Sequence, residues 1–201
     1  MTLSKRLFDI AVALVLAVLL TPVFLVVAAL VALLDGRPVL YVSERMRTPT
    51  EPFALVKFRT MKPATVNTGV SGGDKEDRIT RTGRIMRRTR LDEIPQLWNV
   101  LRGDMSFVGP RPPLRQYVEL FPELYARVLR SRPGVTGLAS VRYSGHETML
   151  LSKSRSIEET DAIYRRSCIP RKATLDLIYQ RHRTLCLDVV IMLQSVFRSL
   201  R

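Results

Sequence analysis

The feature that most constrains this chain is an uncharged run of 25 residues, Ile10 to Leu34, closed at each end by an aspartate, Asp9 and Asp35. At about 1.5 Å per residue, a helix of that length reaches roughly 37 Å, more than the ~30 Å of hydrocarbon in a bilayer. The run predicts a retained membrane anchor over residues 1–36. A cleavable secretory signal fits less well, because its apolar region holds about 7 to 15 residues and ends in a small-residue site. Residues 37–201 are enough to bury a core of their own, so a purely membrane-embedded protein is excluded.

Near the middle of the run stands Thr21-Pro22. Proline has no N–H to donate and its ring crowds the carbonyl of Val18, so a kink is expected there. Two geometries follow. One is a Pro-kinked helix that spans the bilayer; the other is a helix–break–helix that enters and returns to the same face, with the Thr21 hydroxyl satisfying a freed carbonyl. Bilayer physics alone favours the spanning helix, which tolerates proline. Either way, only Lys5 and Arg6 of the 32 basic residues precede the run, and the positive-inside bias puts the rest of the chain on the cytoplasmic side.

The 32 Lys+Arg outnumber 18 Asp+Glu to give +14, and only six of the basic residues are lysines. Arginine's planar fork suits phosphate, so the expected partner chemistry is phosphate on lipid, nucleotide or nucleic acid. Two cysteines, Cys168 and Cys186, and two histidines, His146 and His182, supply neither a disulfide framework nor a Cys/His zinc site of the usual spacing, which suits a reducing compartment. Neither G-x-x-x-x-G-K-[ST] nor G-x-G-x-x-G occurs, which excludes a P-loop and a dinucleotide-binding fold.

Beyond the anchor, Val39–Val42 and Phe53–Phe58 are β-prone and flank the turn-forming Thr48–Pro52, predicting a short hairpin. Residues 62–77 are rich in Gly, Pro and small polar residues and are expected to form a loop, conceivably a lid. Arg78–Arg88 predicts a basic helix. Next, Ile94, Leu97, Trp98 and Leu101 share one helical face, with Pro95 in the first turn and Gly103 at the C′ position. That assignment puts Asp92 and Glu93 at a helix N-terminus. Arg132–Gly137 has the residues of a type II turn. Ser156-x-x-Glu159 has the form of a capping box, opening a helix that should stop before Pro170. Thr184–Leu200 is amphipathic and suits either the core or a membrane surface.

Chemistry then rests on carboxylates and arginines. Asp92 and Glu93 have an ordinary explanation as helix caps. The same position also suits a nucleophile that attacks phosphorus to form an acyl phosphate, with its neighbour taking Mg²⁺. Lys57, Arg87, Arg88 and Arg111 are each unexceptional as solvated charges, but together they would make a clamp for a diphosphate, with prolines stiffening the Arg111 loop.

Several ordered motifs carry a resemblance: Lys5–Ile10, Thr21-Pro22, Lys57–Met61, Arg78–Arg84, Leu91–Leu97, Asn99–Ser106, Val108–Pro112 and Arg132–Leu138. Together they closely resemble the bacterial sugar transferases known as small monotopic phosphoglycosyl transferases, and the likeness resumes near Asp176, Tyr179 and Asp188. The resemblance implies transfer of a sugar 1-phosphate from a UDP-sugar to a polyprenol (undecaprenol) phosphate, with Mg²⁺ and release of UMP, at the cytoplasmic face of the bacterial inner membrane. It implies that Asp92 is the nucleophile, that Glu93 serves the metal beside Asp92, and that Lys57, Arg87 and Arg111 contact phosphates. It also implies a re-entrant anchor broken at Thr21-Pro22, which reverses the preference for a spanning helix. The expected fold is mainly α with a small β element: the re-entrant anchor, interfacial amphipathic helices and a compact catalytic domain over 37–201. Membrane lipid is an expected partner and a homo-oligomer is left open.

The sequence departs from the family pattern at Ser43, Arg47, Ala139-Ser140 and the stretch Tyr143–Lys172. A rival of another class is a membrane-tethered basic binding protein in which Asp92 and Glu93 only cap a helix. The absence of a recognisable nucleic-acid motif argues against a nucleic-acid partner.

Overall fold

A computed structural model describes residues 1–63, 70 and 72–199. Its first element, α1 (Leu3–Leu30), opens with Thr2 accepting from the Lys5 N–H and runs into a π-helical turn over Val31–Asp35. It is long and apolar enough to cross a membrane by length and composition. No non-helical residue interrupts it at Thr21-Pro22, so the expected break into two helices is not seen there. Thr21 Oγ1 does donate to a carbonyl, that of Ala17 at 2.6 Å, four residues back.

One stripe of α1 faces the rest of the protein along its whole length. Asp9 and Ala13, then Leu16, Val23, Val27 and Val31, recur at helical spacing and are buried or half-buried. The first of these pack with Phe107, Val108 and Ile191, the last with Phe58 and Met86. Polar ties hold both ends to the same body. Lys5 pairs with Asp188 at 2.5 Å, and Arg6 donates to the carbonyls of Val100 and Leu101 at 2.6 and 2.7 Å. At the other end Asp35 accepts from the hydroxyls of Thr80 and Thr82, and Arg59 donates to the carbonyls of Asp35 and Gly36. Leu14, Val18, Leu25 and Val26 are left exposed on the outer face.

The expected hairpin is present as β1 (Leu40–Met46) and β2 (Pro52–Phe58), antiparallel with Leu40 opposite Phe58 and Met46 opposite Pro52. It is longer than expected because Ser43, Glu44 and Arg45 continue β1. After a 3₁₀ turn at Gly73–Arg78, the basic helix α2 (Arg81–Thr89) begins where Thr80 accepts from the Gly83 N–H. Of the loop expected at 62–77, residues 64–69 and 71 lie outside the described residues, and its end forms the 3₁₀ turn.

A second 3₁₀ turn, Leu91–Glu93, precedes α3 (Gln96–Arg102), which ends on Gly103 at φ +89° as expected of a C′ glycine. The buried side of α3 is Gln96, Asn99 and Val100, while Trp98 is exposed. Of the expected apolar face, Leu97 and Leu101 pack partly against the core and Ile94 packs beside Phe58 and Met86, while Trp98 is turned outward. Asn99 explains the difference: its amide accepts from Val56 N at 3.1 Å and donates to Ala54 O at 2.8 Å, rotating α3 to serve β2.

A parallel pair follows, β3 (Ser106–Val108) against β4 (Gly134–Thr136). This overturns the type II turn expected at Arg132–Gly137. Its glycines are there for close approach of backbones: a Cβ at Gly109 would lie 2.1 Å from the Arg132 carbonyl, and one at Gly134 would lie 2.2 Å from Gly109 N.

The remaining helices are α4 (Arg115–Leu120), α5 (Pro122–Val128), α6 (Leu138–Leu151), α7 (Ile157–Ile163), α8 (Ile169–His182) and α9 (Leu185–Ser199). Ser156 caps α7 as expected, accepting from Glu159 N, although Glu159 reaches back to Arg155 N. The helix does not stop before Pro170. A π-helical turn at Tyr164–Cys168 carries α7 into α8, and Pro170 falls in the first turn of α8, where a missing N–H is tolerated. Among the described residues the fold is thus mainly helical with two small sheets.

Candidate active site

The left-handed Arg90, at φ +62°, turns the chain sharply out of α2 and into the three-residue turn that carries Asp92 and Glu93. Few non-glycine residues take that conformation, and it aims the next side chains back toward α2 and β2. Asp92 is 8% exposed. The ordinary capping explanation fails on geometry: the pair stands in its own turn ahead of Pro95, and α3 has no side-chain cap.

Asp92 and Glu93 line a cavity of about 530 Å³ together with Lys57, Arg87 and Arg111. Lys57 comes from the end of β2, paired with Tyr41, and its ammonium lies 5.5 Å from the Tyr41 ring centroid. Arg87 comes from the last turn of α2, where its Nε donates to Thr60 Oγ1 at 2.9 Å. Arg111 comes from the loop after β3, with Nη1 at 3.4 Å from Glu93 Oε1. Thus five of the sequence-selected residues converge. Arg88 does not: it is exposed and outside the cavity lining, because one residue of helix rotates it about 100° away from Arg87.

Electrostatics tune this cluster for reaction. Burial, then the neighbouring Glu93, pushes the Asp92 carboxyl up to about 6, against the pull of Lys57, Arg111 and Arg87. Burial likewise lowers Lys57 to about 8, with Asp92 opposing and Arg111, Arg87 and Arg45 reinforcing. The Arg87 guanidinium is lowered by burial too. Opposed shifts of an acid and a base in one cavity mark a functional site more than a structural ion pair.

Sequence reasoning missed several lining residues. Arg45 shares a hairpin face with Lys57, since Tyr41, Ser43 and Arg45 alternate on β1 and Tyr41 pairs with Lys57. Period-two counting from Lys57 would have found it. Arg90 pairs with Glu93 at 3.4 Å. Glu147, Tyr164, Lys172 and Asp176 reach the cavity from α6, the π turn and α8; no sequence spacing links them to Asp92.

Among the described residues, no group of three or more His, Cys, Asp or Glu side chains is gathered to hold a metal. Two adjacent carboxylates fit Mg²⁺ nonetheless, since that ion takes one or two carboxylates and completes its shell with water and substrate phosphates.

Comparison with known proteins gives the same direction. A relative from Caulobacter vibrioides, UDP-glucose:undecaprenyl-phosphate glucose-1-phosphate transferase, is 40% identical over 168 residues, 80% of this chain and 62% of the relative. The exopolysaccharide production protein ExoY of Sinorhizobium fredii is 38% identical over 152 residues, covering 68% of this chain and 67% of that protein. A UDP-N-acetylgalactosamine-undecaprenyl-phosphate N-acetylgalactosaminephosphotransferase of Aeromonas hydrophila is 36% identical over 143 residues, 68% of this chain but 33% of that protein. The chain therefore spans less than two thirds of the first and third of these relatives. The family model described as bacterial sugar transferase matches residues 1–201, and the chain, with its buried aspartate ringed by cationic side chains, belongs to that family.

Proposed function

We propose that this protein transfers a sugar 1-phosphate from a UDP-sugar to a polyprenol phosphate, undecaprenyl phosphate by analogy with its relatives. The observation that carries the reading is Asp92, a buried carboxylate facing a cavity whose cations, Lys57, Arg87 and Arg111, are spaced around it. A carboxylate shielded from water and held at about 6 is ionised at neutral pH yet weakly solvated, which suits a nucleophile.

In the first step an Asp92 oxygen attacks the sugar-bearing phosphorus, and the bond from that phosphorus to the bridging oxygen breaks. UMP leaves with that oxygen, and an aspartyl phosphosugar remains. A phosphate oxygen of the polyprenol phosphate then attacks the same phosphorus, giving the polyprenol diphosphate sugar and freeing Asp92. Arg111, Arg87 and Lys57 hold the diphosphate and spread the charge that develops on its oxygens. Glu93, fixed by Arg90 and Arg111, would hold Mg²⁺ with Asp92. That ion, when bound, supplies neutralisation of the diphosphate charge.

Membrane seating completes the reading. Both ends of α1 are tied to one globular body, so α1 is read as a helix that lies in the cytoplasmic-face leaflet with both ends on that side, without crossing. The exposed apolar faces of α1 and α9, joined through Lys5–Asp188, would lie in the lipid and admit the polyprenol chain.

The test is direct. Incubated with a UDP-sugar and no acceptor, the enzyme should release one equivalent of UMP and gain a phosphosugar on the Asp92 peptide by mass spectrometry. Steady-state kinetics that demand both substrates bound together, with no trapped adduct, would overturn the two-step scheme.

A further inference from the structure

Asp92, Glu93, Lys57, Arg87 and Arg111 account for one part of the cavity. Another part is built by α6, the π turn and α8, mostly within the stretch where the sequence leaves the family pattern. There Lys172 Nζ donates to Glu147 Oε1 at 2.8 Å and to Tyr164 Oη at 3.3 Å, and lies 5.0 Å from the Tyr164 ring centroid. One helical turn beyond Lys172 on α8, Asp176 lines the same cavity and is 7% exposed, and its Oδ1 has no hydrogen-bond partner. A buried carboxylate oxygen without a donor is costly, and one that borders a cavity is matched when a ligand brings the donor. Ser140 and Ser144 add hydroxyls on α6.

Arg111 joins the two parts. Its guanidinium is held by the charges of Glu93 and Asp92 and also by those of Glu147 and Tyr164, which line the same cavity. A group attached to a phosphate gripped by Arg111 therefore meets the wall of α6 and α8. A UDP-sugar offers two such groups. Uracil is best matched by an amide-like pair of donor and acceptor, and among the described residues no Asn or Gln lines the wall of α6 and α8. A sugar ring offers several hydroxyls, which carboxylates and an ammonium can read, and a C–H face that packs on an aromatic ring.

Resting on the transferase reading above, we propose that Glu147, Lys172 and Asp176 form the subsite that selects the donor's sugar, and that the sugar is a neutral hexose. Glu147 on this wall would meet a uronate's own carboxylate with like charge, which favours a donor whose sugar carries none.

The experiment compares Glu147→Gln and Ser144→Ala with the unmodified enzyme in detergent, reading UMP release for each donor and inhibition by UDP, which carries no sugar. For the neutral UDP-hexose that the unmodified enzyme uses best, kcat/KM should fall about tenfold or more in Glu147→Gln and less in Ser144→Ala, because a sugar hydroxyl exchanges a charged acceptor for a weaker, neutral amide oxygen. The UDP inhibition constant should stay within about twofold, and the preference for UDP-glucose over UDP-glucuronate should narrow in Glu147→Gln. Unchanged donor selectivity in both variants, or weakening of UDP in step with the UDP-hexose, would overturn the assignment. If the unmodified enzyme releases UMP from no UDP-sugar, the transferase reading itself falls and takes this subsite with it; normal turnover with unaltered selectivity removes the subsite alone.

Discussion

Replacing Asp92 by Asn should inactivate the enzyme and make it more stable at neutral pH. The Asp92 carboxyl moves from its ordinary 3.8 to about 6 on folding, so the folded state binds that proton more tightly than the unfolded one. Ionising it in place costs about 3 kcal/mol at 1.36 kcal/mol per tenfold change in proton affinity. The sign follows from the raised value: the cost is absent below pH 3.8, grows as pH rises through the interval, and is fully present above about 6. Asparagine keeps the shape and removes the charge, so Asp92→Asn should recover most of that energy at pH 7.5 and almost none at pH 4. For a chain of this size, 3 kcal/mol corresponds to a rise of about 6 to 12 °C in Tm. Turnover should fall by about 10³-fold or more, because an amide cannot form the acyl phosphate. Thermal unfolding in detergent at the two pH values, followed by intrinsic fluorescence, measures the first effect; UMP release measures the second. A variant less stable than the parent at pH 7.5 would mean that the carboxylate holds the fold together, and the nucleophile reading would lose its physical basis.

The pH profile of kcat/KM should be bell-shaped, rising through about 6 as Asp92 ionises and falling through about 8 as Lys57 loses its proton; a profile flat across that interval would detach both groups from the reaction. Arg111→Lys should lose activity at low donor concentration, since a point charge cannot reproduce a forked contact, and EDTA should silence the parent enzyme if Asp92 and Glu93 carry Mg²⁺. Full activity in Arg111→Lys, or in EDTA, would remove that residue or that ion from the scheme. For topology, a cysteine at Ser4 should resist an impermeant thiol reagent in intact cells and react after permeabilisation, because α1 keeps Lys5 on Asp188; labelling from outside would show that α1 spans.

The elements legible in the sequence are those with a long or repeated pattern. The uncharged run gave α1, the two β-prone runs gave the hairpin, and the basic run Arg78–Arg88 gave α2. What was not legible depends on partners far away in the chain. Three-residue strands such as β3 and β4 cannot display a period, and Gly134 in Arg-Pro-Gly reads as a turn when only its neighbour Gly109 explains it. Trp98 looks like core by composition, but Asn99 decides which way α3 turns. In the site, Asp92, Glu93, Lys57, Arg87 and Arg111 could be named because resemblance marked them. Lys172 and Asp176 are brought in by the continuity of α7 and α8 past Pro170, against a local signal that ends helices, and Glu147 by the packing of α6 on α8.

The segment that carries Arg111 is fastened by its backbone on both sides. Gly109 N donates to Thr136 O and Gly134 N to Pro110 O, each at 2.9 Å, while Met46 N donates to Pro113 O at 3.0 Å. Glycine leaves no slack between these strands, and Pro110, Pro112 and Pro113 fix φ at three of the five positions from Gly109 to Pro113. Ordering a free five-residue loop around a diphosphate would sacrifice about 1 to 2 kcal/mol of backbone entropy per residue at each encounter. Here that loss is incurred once, when the protein folds, and only the arginine side chain has freedom left to lose. On the proposed reading, a donor would meet the cation already in place, and binding energy would be kept for the moment at which phosphorus changes partners.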